Sequence, residues 1–545
     1  MRRLLVAALA VVALAAGAAA DAGATAPPDL PACVLGKLPA ALRTFLPDAI
    51  VGAQRRYGAT LRGVSAADRT RAEVAYAIGA AAYVYGYPPV ILRLTVSRFP
   101  VNQFVGIAQL AGASARAVVA PNHDTLYSVS QLNLENGPLV IDAPATAGRY
   151  SILQLLDAYT NDFAYIGSGA ERDSAESVAF VPPGWQGTLP DGVRRLDSPT
   201  TLVWLLGRTL IDGQSDLPAA RQVLSGYAIT PLARWAAGAR GAPLILDAFP
   251  GNQMTPPVPT GLAFYDTLGQ DLAATPPSAA DACALQAFAS VGIGPGQTPS
   301  TGTDPLVTQA LAAAATAGPR LVDAASTAIR RDSQRRHNGW SMLAGDTGRF
   351  GADYAGRAVT ANIGLAANTA AQAVYPNTDT DSDGRLLDGR HDYELTFAPG
   401  HLPPVKAFWS LTLYGADRYF APNPLNRLTL GDRTKGLRYG KGRSLRLFVS
   451  HRPPRGSDRA NWLPAPRGRF LLYLRLYEPK PAAAGGRWLP PSVIRTGPEP
   501  ERTSSSVRSS ASMRSSAGAG CFVGSGGSIL RRLRLSSITR RRRSR

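Results

Sequence analysis

The sequence has few of the residues from which common catalytic and metal centres are built. Three cysteines and five histidines are spread over 545 residues. No C-x-x-C, H-E-x-x-H or Cys/His cluster occurs, so a zinc site would need ligands distant in sequence. The G-x-S-x-G elbow of a serine hydrolase and a P-loop are missing. GIGPGQ, residues 292–297, lacks the third glycine of a dinucleotide loop and follows no clear βα unit. Beyond the N-terminus no run is long and apolar enough to cross a bilayer. Acidic residues are also in deficit, 38 against 58 Lys and Arg, for a formal charge of +20.

That charge does not make a nucleic-acid protein. Close to half of the excess lies beyond Pro500, in a Ser-, Gly- and Arg-rich segment with no periodic apolar face. Such text cannot offset its ordering entropy, and residues 496–545 are expected to form a disordered basic tail. No specific nucleic-acid partner follows from it.

At the other end, MRRLLVAALAVVALAAGAAADAGATA places Arg2 and Arg3 before an apolar run and then small residues. The order is that of a secretory signal over residues 1–26, with cleavage after Ala20 or Ala26. An exported chain, periplasmic or extracellular and with no membrane span after cleavage, is therefore expected. In an oxidising compartment Cys33 and Cys283 could pair, which leaves Cys521 over.

Between these ends the texture changes several times. Ser65 is placed to cap a helix whose apolar face runs through Val74, Ile78, Ala82 and Tyr85, with Gly86, Pro88 and Pro89 expected to end it. From Val118 to Thr209, short β-branched and aromatic runs broken by Gly, Pro and Asn predict an antiparallel sandwich, so residues 65–211 read as helix plus sandwich. Residues 212–345 are Ala-rich and helical, with the clearest helix over 321–340. Residues 346–495 return to strands. In SLRLFVS, Leu445, Leu447 and Val449 alternate with Arg446 and Phe448, the period of a strand with one buried face. The fold class is thus mainly β with helical insertions, built on two β-sandwich domains.

Several blocks resemble known families. AAYVYGYPPV, PNHDTLYS, GRYSILQLLDAYTNDFAYIG and LLGRTLID resemble the domain-of-unknown-function family 1254. NGW, DYAGRA, ANTAAQAVYPNTDTDSDGRLLDGRHDYELTF, PPVKAFWSLTLYG, GDRT and NWLPAP resemble its usual partner, family 1214. The resemblance spans roughly residues 65 to 495. It implies an immunoglobulin-like sandwich followed by a jelly-roll-like one, and no reaction.

The candidate site residues come from the polar blocks. In PNHDTLYS, Asn122 and Asp124 suit an Asx turn ahead of a strand, while Asp124 and Tyr127, with Arg149 and Asp157, could line a pocket. His123 and Asp124 should face opposite sides, which argues against a catalytic dyad. Arg208, among apolar residues, should pair with a carboxylate inside the fold rather than bind an anion. Trp409 and Tyr414 read as sandwich core or as a stacking platform. Asp379, Asp381, Asp383 and Gly384 match the opening of a calcium loop, but Arg390 stands where an EF-hand needs Glu. A looser calcium site using Asp388 or a solvated turn are the alternatives. The reading is an exported protein that binds a small polar or carbohydrate-like ligand in an inter-domain cleft. A non-catalytic structural or assembly protein of the cell envelope is the second reading, and a calcium-dependent adhesin the third. A homo-oligomer fits any of them.

Overall fold

The computed structural model describes residues 32–106, 109–116, 120–167, 174–242, 244–246, 257–332, 336–342 and 347–496. The expected signal segment and basic tail lie outside the described residues. Alternation of apolar residues builds the first sandwich from β1 (Val105–Gly106), β2 (Thr125–Asn133), β3 (Leu139–Ala143), β4 (Ser151–Asp157) and β5 (Asp162–Gly167). It continues with β6 (Glu176–Val181), β7 (Val193–Asp197), β8 (Leu202–Leu210), β9 (Ala228–Pro231) and β10 (Ile245–Leu246). One sheet runs β10-β1-β2-β8-β4-β5 and the other β7-β6-β3-β9. Leu126, Leu153 and Leu205 of the first meet Ile141, Val178 and Phe180 of the second in a closed apolar core.

The second sandwich uses β11 (Arg336–His337), β12 (Trp340–Ser341), β13 (Ala373–Val374), β14 (Asn377–Thr378), β15 (Asp392–Phe397) and β16 (Val405–Gly415). β17 (Thr429–Gly431), β18 (Leu445–Ser450), β19 (Trp462–Pro464), β20 (Phe470–Pro479) and β21 (Ile494–Thr496) complete it. Its sheets run β11-β12-β14-β20-β16-β17, with β13 also on β20, and β19-β18-β15-β21. Period two decides what each face does. Trp409, Leu411 and Leu413 of β16 and Leu472, Leu474 and Leu476 of β20 pack onto Leu395, Leu445 and Leu447. Their neighbours Phe408, Ser410, Thr412, Tyr473, Arg475 and Tyr477 must then face the other way. Trp409 is sandwich core, whereas Tyr414 sits on that opposite face, stacked on Phe420.

A helical layer joins α1 (Ala32–Leu35), α2 (Phe45–Gly58), α3 (Ala66–Val96), α4 (Leu217–Ser225) and α5 (Leu232–Ala236) to α6 (Leu262–Ala274), α7 (Ala282–Ala289), α8 (Pro305–Arg331) and α9 (Tyr354–Gly364). Ser65 caps α3 as expected, accepting from the Asp68 N–H at 3.0 Å. The helix does not stop at Gly86. It continues through Pro88 and Pro89 to Val96. Each proline removes one backbone donor, but both rings, with Gly86, Val90 and Leu92, are buried, and that packing outweighs the lost bonds. The clearest predicted helix likewise begins earlier, at Pro305, and ends at Arg331; residues 336–341 form a hairpin, His337 opposite Trp340. Cys33 of α1 is bonded to Cys283 of α7, 250 residues away. No helix among the described residues is long and apolar enough to cross a membrane.

These parts meet on one surface. The outer face of the first sheet is covered at one end by the helices, through Val129, Leu156, Trp204 and Leu206. At the other end Tyr150 and Ile152 pack against Phe408 and Tyr477 of the second sandwich. The candidate site lies between the two coverings.

Candidate functional site

Three strands of the first sheet bring one row to this junction. Tyr127 of β2 is opposite Arg208 of β8, which is opposite Ile152 of β4. From the second sandwich, Ser410 is opposite Arg475, Thr412 opposite Tyr473 and Phe408 opposite Tyr477. Tyr127, Tyr375 and Tyr473 each keep part of their surface exposed, although the residues around them are buried. They line a recess between the sandwiches.

Two arginines, one from each domain, dominate it. Arg208 is 6% exposed and Arg475 is 4% exposed. Arg208 Nη1 donates to Gln154 Oε1 at 2.6 Å and to Asn368 Oδ1 at 3.4 Å, and Nη2 to the Ala366 carbonyl at 3.0 Å. Arg475 Nη1 donates to Thr412 Oγ1 at 2.9 Å, and Nη2 to the Ala120 carbonyl at 2.8 Å and the Tyr414 hydroxyl at 2.6 Å. All six acceptors are neutral. The carboxylate partner expected for Arg208 is absent among the described residues, because the nearby acid, Asp162, is reached only through the amide of Gln154, whose Nε2 donates to Asp162 Oδ1 at 2.6 Å.

The electrostatics follow from this crowding. Burial works against the charge of Arg208, and the tyrosines around it, Tyr375, Tyr127, Tyr477 and Tyr150, hold its proton more tightly only at the high pH where they ionise. Tyr127 is pushed up by burial, although Arg208, Arg475 and the nearby Asn122 backbone pull the other way. It is therefore a phenol at neutral pH, a hydrogen-bond donor rather than a base. Asp162, with the Tyr165 hydroxyl at 2.8 Å, is pushed up to about 7 by burial. The Tyr150 hydroxyl is buried without a partner.

Of the residues singled out in the sequence, Tyr127 and Arg208 lie at this recess. Asn122 forms the Asx turn, accepting from the Asp124 N–H at 2.6 Å, and it also donates to the Tyr477 hydroxyl at 2.6 Å. Asp124 accepts from Ser410 Oγ at 2.6 Å and Arg433 Nη2 at 3.0 Å, a joint between the domains. His123 turns away to the Ala111 carbonyl at 2.7 Å. Arg149 makes a bidentate pair with Asp216 at 2.5 and 2.7 Å. Asp157 closes the β4–β5 turn, accepting from the N–H groups of Tyr159 and Asn161. Asp381 accepts from the N–H groups of Asp383 and Arg385, Asp383 pairs with Arg385, Asp388 pairs with Arg390, and Asp379 lies toward Arg330. Among the described residues no three His, Cys, Asp or Glu side chains gather as metal ligands would. Arg475 was overlooked; its signal was a charge on the same strand face as Tyr473 and Tyr477 in FLLYLRLY.

A separate cavity of 490 Å³ on the first sandwich is walled by Trp185, Pro190, Pro231 and Leu232 and has no charged lining residue.

Comparison with known proteins agrees with this two-part build. Residues 101–231 match the family described as protein of unknown function (DUF1254), and residues 372–481 match protein of unknown function (DUF1214). The chain is a two-domain protein of these families. Arg208 falls within the DUF1254 match and Arg475 within the DUF1214 match, so the recess belongs to neither alone. The crystal structure of the VPA0106 protein from Vibrio parahaemolyticus is similar over 78% of this chain and 100% of its own, with 24% identity and a TM-score of 0.59. That likeness supports the fold. A putative uncharacterized protein from Burkholderia cenocepacia aligns over 84% of this chain and 98% of its own, with 13% identity and a TM-score of 0.37. No curated protein matches.

Proposed function

We propose that this protein binds a small polar molecule through an acid group, carboxylate or phosphate, in the recess between its sandwiches. Arg208 and Arg475 neutralise the acid group and Tyr127 donates a hydrogen bond to it. One observation carries the reading: both guanidiniums are more than nine-tenths buried, yet they are held only by neutral oxygens. An uncompensated buried charge is costly, and an anion between the two relieves it. Guanidinium forks and phenols also match the acceptor geometry of carboxylates and phosphates. A neutral sugar would supply no counter-charge, so an acidic small molecule fits better.

We also propose that the protein works outside the cytoplasm. The charged, apolar and small-residue order of its first 26 residues supports export, and a Cys33–Cys283 bond is of the kind that persists in oxidising compartments. N-terminal sequencing of exported protein should start at Asp21 or Pro27; recovery with Met1 retained in the cytosol would overturn this.

Thermal unfolding with butyrate and inorganic phosphate tests the binding reading. A probe that binds only the folded state stabilises it by about 2.7 kcal/mol at a hundredfold excess over its dissociation constant. Arg475→Met should fold and lose that response, since an apolar side chain of similar volume removes the buried charge as well as the site. Absence of stabilisation of the wild type by either probe favours the structural reading.

A further inference from the structure

Beyond Arg475, two further arginines lie near Tyr473. Tyr473 stands two residues before Arg475 on the same face of β20, its ring centroid 5.7 Å from the Arg475 guanidinium carbon. Its phenol lies within electrostatic reach of Arg418, Arg475 and Arg330. Arg330 comes from the last turn of α8, and Arg418 from the turn after β16. No ion pair holds either one among the described residues, and Arg330 Nε is buried without an acceptor. Burial and the like charge of Arg418 both work against the charge of Arg330, with Asp379 offsetting them only in part.

The backbone keeps this arrangement in place at a conformational cost. Arg418 and Ala120 both adopt left-handed conformations, with φ of 64° and 50°, which non-glycine residues avoid. The Ala120 N–H donates to the Arg418 carbonyl at 2.9 Å, while the Ala120 carbonyl accepts from Arg475 Nη2 at 2.8 Å. One strained contact thus ties the backbone of Arg418 to the segment that holds the Arg475 guanidinium. Strain of this kind gathers at ligand clamps.

We propose that the molecule bound in the recess carries an acid group at each end, the inner one between Arg208 and Arg475 and the outer one held by Arg330 and Arg418 beside Tyr473. This rests on the anion-binding reading above. Same-face neighbours on a strand stand about 6.7 Å apart, so the two acid groups need a spacer of a few carbons. The class is a short linear dicarboxylate, or a carboxylate with a terminal phosphate.

Calorimetry on the full chain with butyrate, succinate, adipate and 3-phosphoglycerate tests this, using wild type, Arg418→Gln, Arg330→Gln and Arg475→Met. A second charged contact should make adipate bind about tenfold or more tighter than butyrate. Arg418→Gln and Arg330→Gln should erase that advantage, weakening adipate about tenfold while butyrate falls by much less. Arg475→Met should weaken every probe. Tighter binding of 3-phosphoglycerate than adipate would assign the outer group as phosphate. If butyrate binds and neither two-ended probe binds tighter, or if both glutamine variants keep the advantage, the two-ended inference falls and the anion reading stands. If no probe binds the wild type, both fall.

Discussion

Asp124 and Arg433 form an ion pair of 3.0 Å that joins the first sandwich to the second, with the Asp124 side chain 4% exposed. Arg433 also donates to the Ile211 carbonyl at 2.9 Å and lies over the Phe408 ring, 4.2 Å from its centroid. Asp124 receives Ser410 on its other oxygen. Both carboxylate oxygens are therefore taken up by the partner domain, and the same aspartate is held from behind by Asn122. Arg433 thus has a carboxylate in direct contact, whereas the acceptors that Arg208 and Arg475 contact are all neutral.

Asp124→Ala should accordingly act on stability. Removing the carboxylate takes the acceptor from Ser410 Oγ and from Arg433 Nη2, while the part-exposed Arg433 keeps the Ile211 carbonyl, a loss of about 3 kcal/mol. Urea unfolding measures it. The folded fraction should keep wild-type affinity for butyrate; a variant as stable as wild type but unable to bind would place Asp124 in the site instead.

How much of this was legible depends on the range of the interaction. Strands such as Leu445–Ser450 were readable because burial alternates with the residue period. The Ser65 cap was readable because it acts over three residues. Continuation of α3 beyond Pro89 was not, since it depends on tertiary burial that overrides a local breaker. The candidate site was the least readable part. Arg208 was visible as a charge among apolar residues, but its acceptors Ala366 and Asn368 stand 158 and 160 positions away, and its counterpart Arg475 belongs to the other domain. Polar blocks in the sequence pointed to Asp124, Arg149 and Asp157, which the fold uses in a joint, an ion pair and a turn.

The Cys33–Cys283 bond closes a segment of 250 residues. Loop-closure entropy of the unfolded chain makes such a bond worth about 5 kcal/mol. A Cys33→Ser, Cys283→Ser double variant should melt at a lower temperature, and thiol titration of native wild type should find neither cysteine free. Three reactive thiols in the native protein, Cys33 and Cys283 in addition to Cys521, would contradict the bond.

Helices α3 and α8 approach closely at Gly318, where an added Cβ would stand 2.3 Å from the Tyr83 ring. Tyr83 is itself stacked on Phe264 at 4.0 Å, so it has little room to yield. Gly318→Ala gains up to about 1 kcal/mol of helix propensity, but overpacking costs about 1–3 kcal/mol. A net fall in melting temperature is expected. A rise would mean that the helices separate without penalty.

The last prediction concerns pH. Burial pushes Asp162 up to about 7 from 3.8, so the folded protein holds this proton where the unfolded chain has released it. Stability from this group is fully present below about pH 4 and declines as pH rises to about 7, above which it is flat. At about 1.4 kcal/mol per unit, the whole span is on the order of 4 kcal/mol. Asp271 and Asp432, each raised to about 6 chiefly by burial, contribute a decline of the same sign at lower pH. Comparing wild type with Asp162→Asn cancels them. Asn mimics the protonated acid, since its carbonyl can accept from Gln154 Nε2 and its amide can donate to the Tyr165 hydroxyl. The variant should match wild type near pH 4, gain on it steadily to pH 7 and hold a constant lead above that in urea titrations. A stability difference that does not change between pH 4 and 8 would show that Asp162 titrates normally and that the link from Arg208 through Gln154 ends at an ordinary carboxylate.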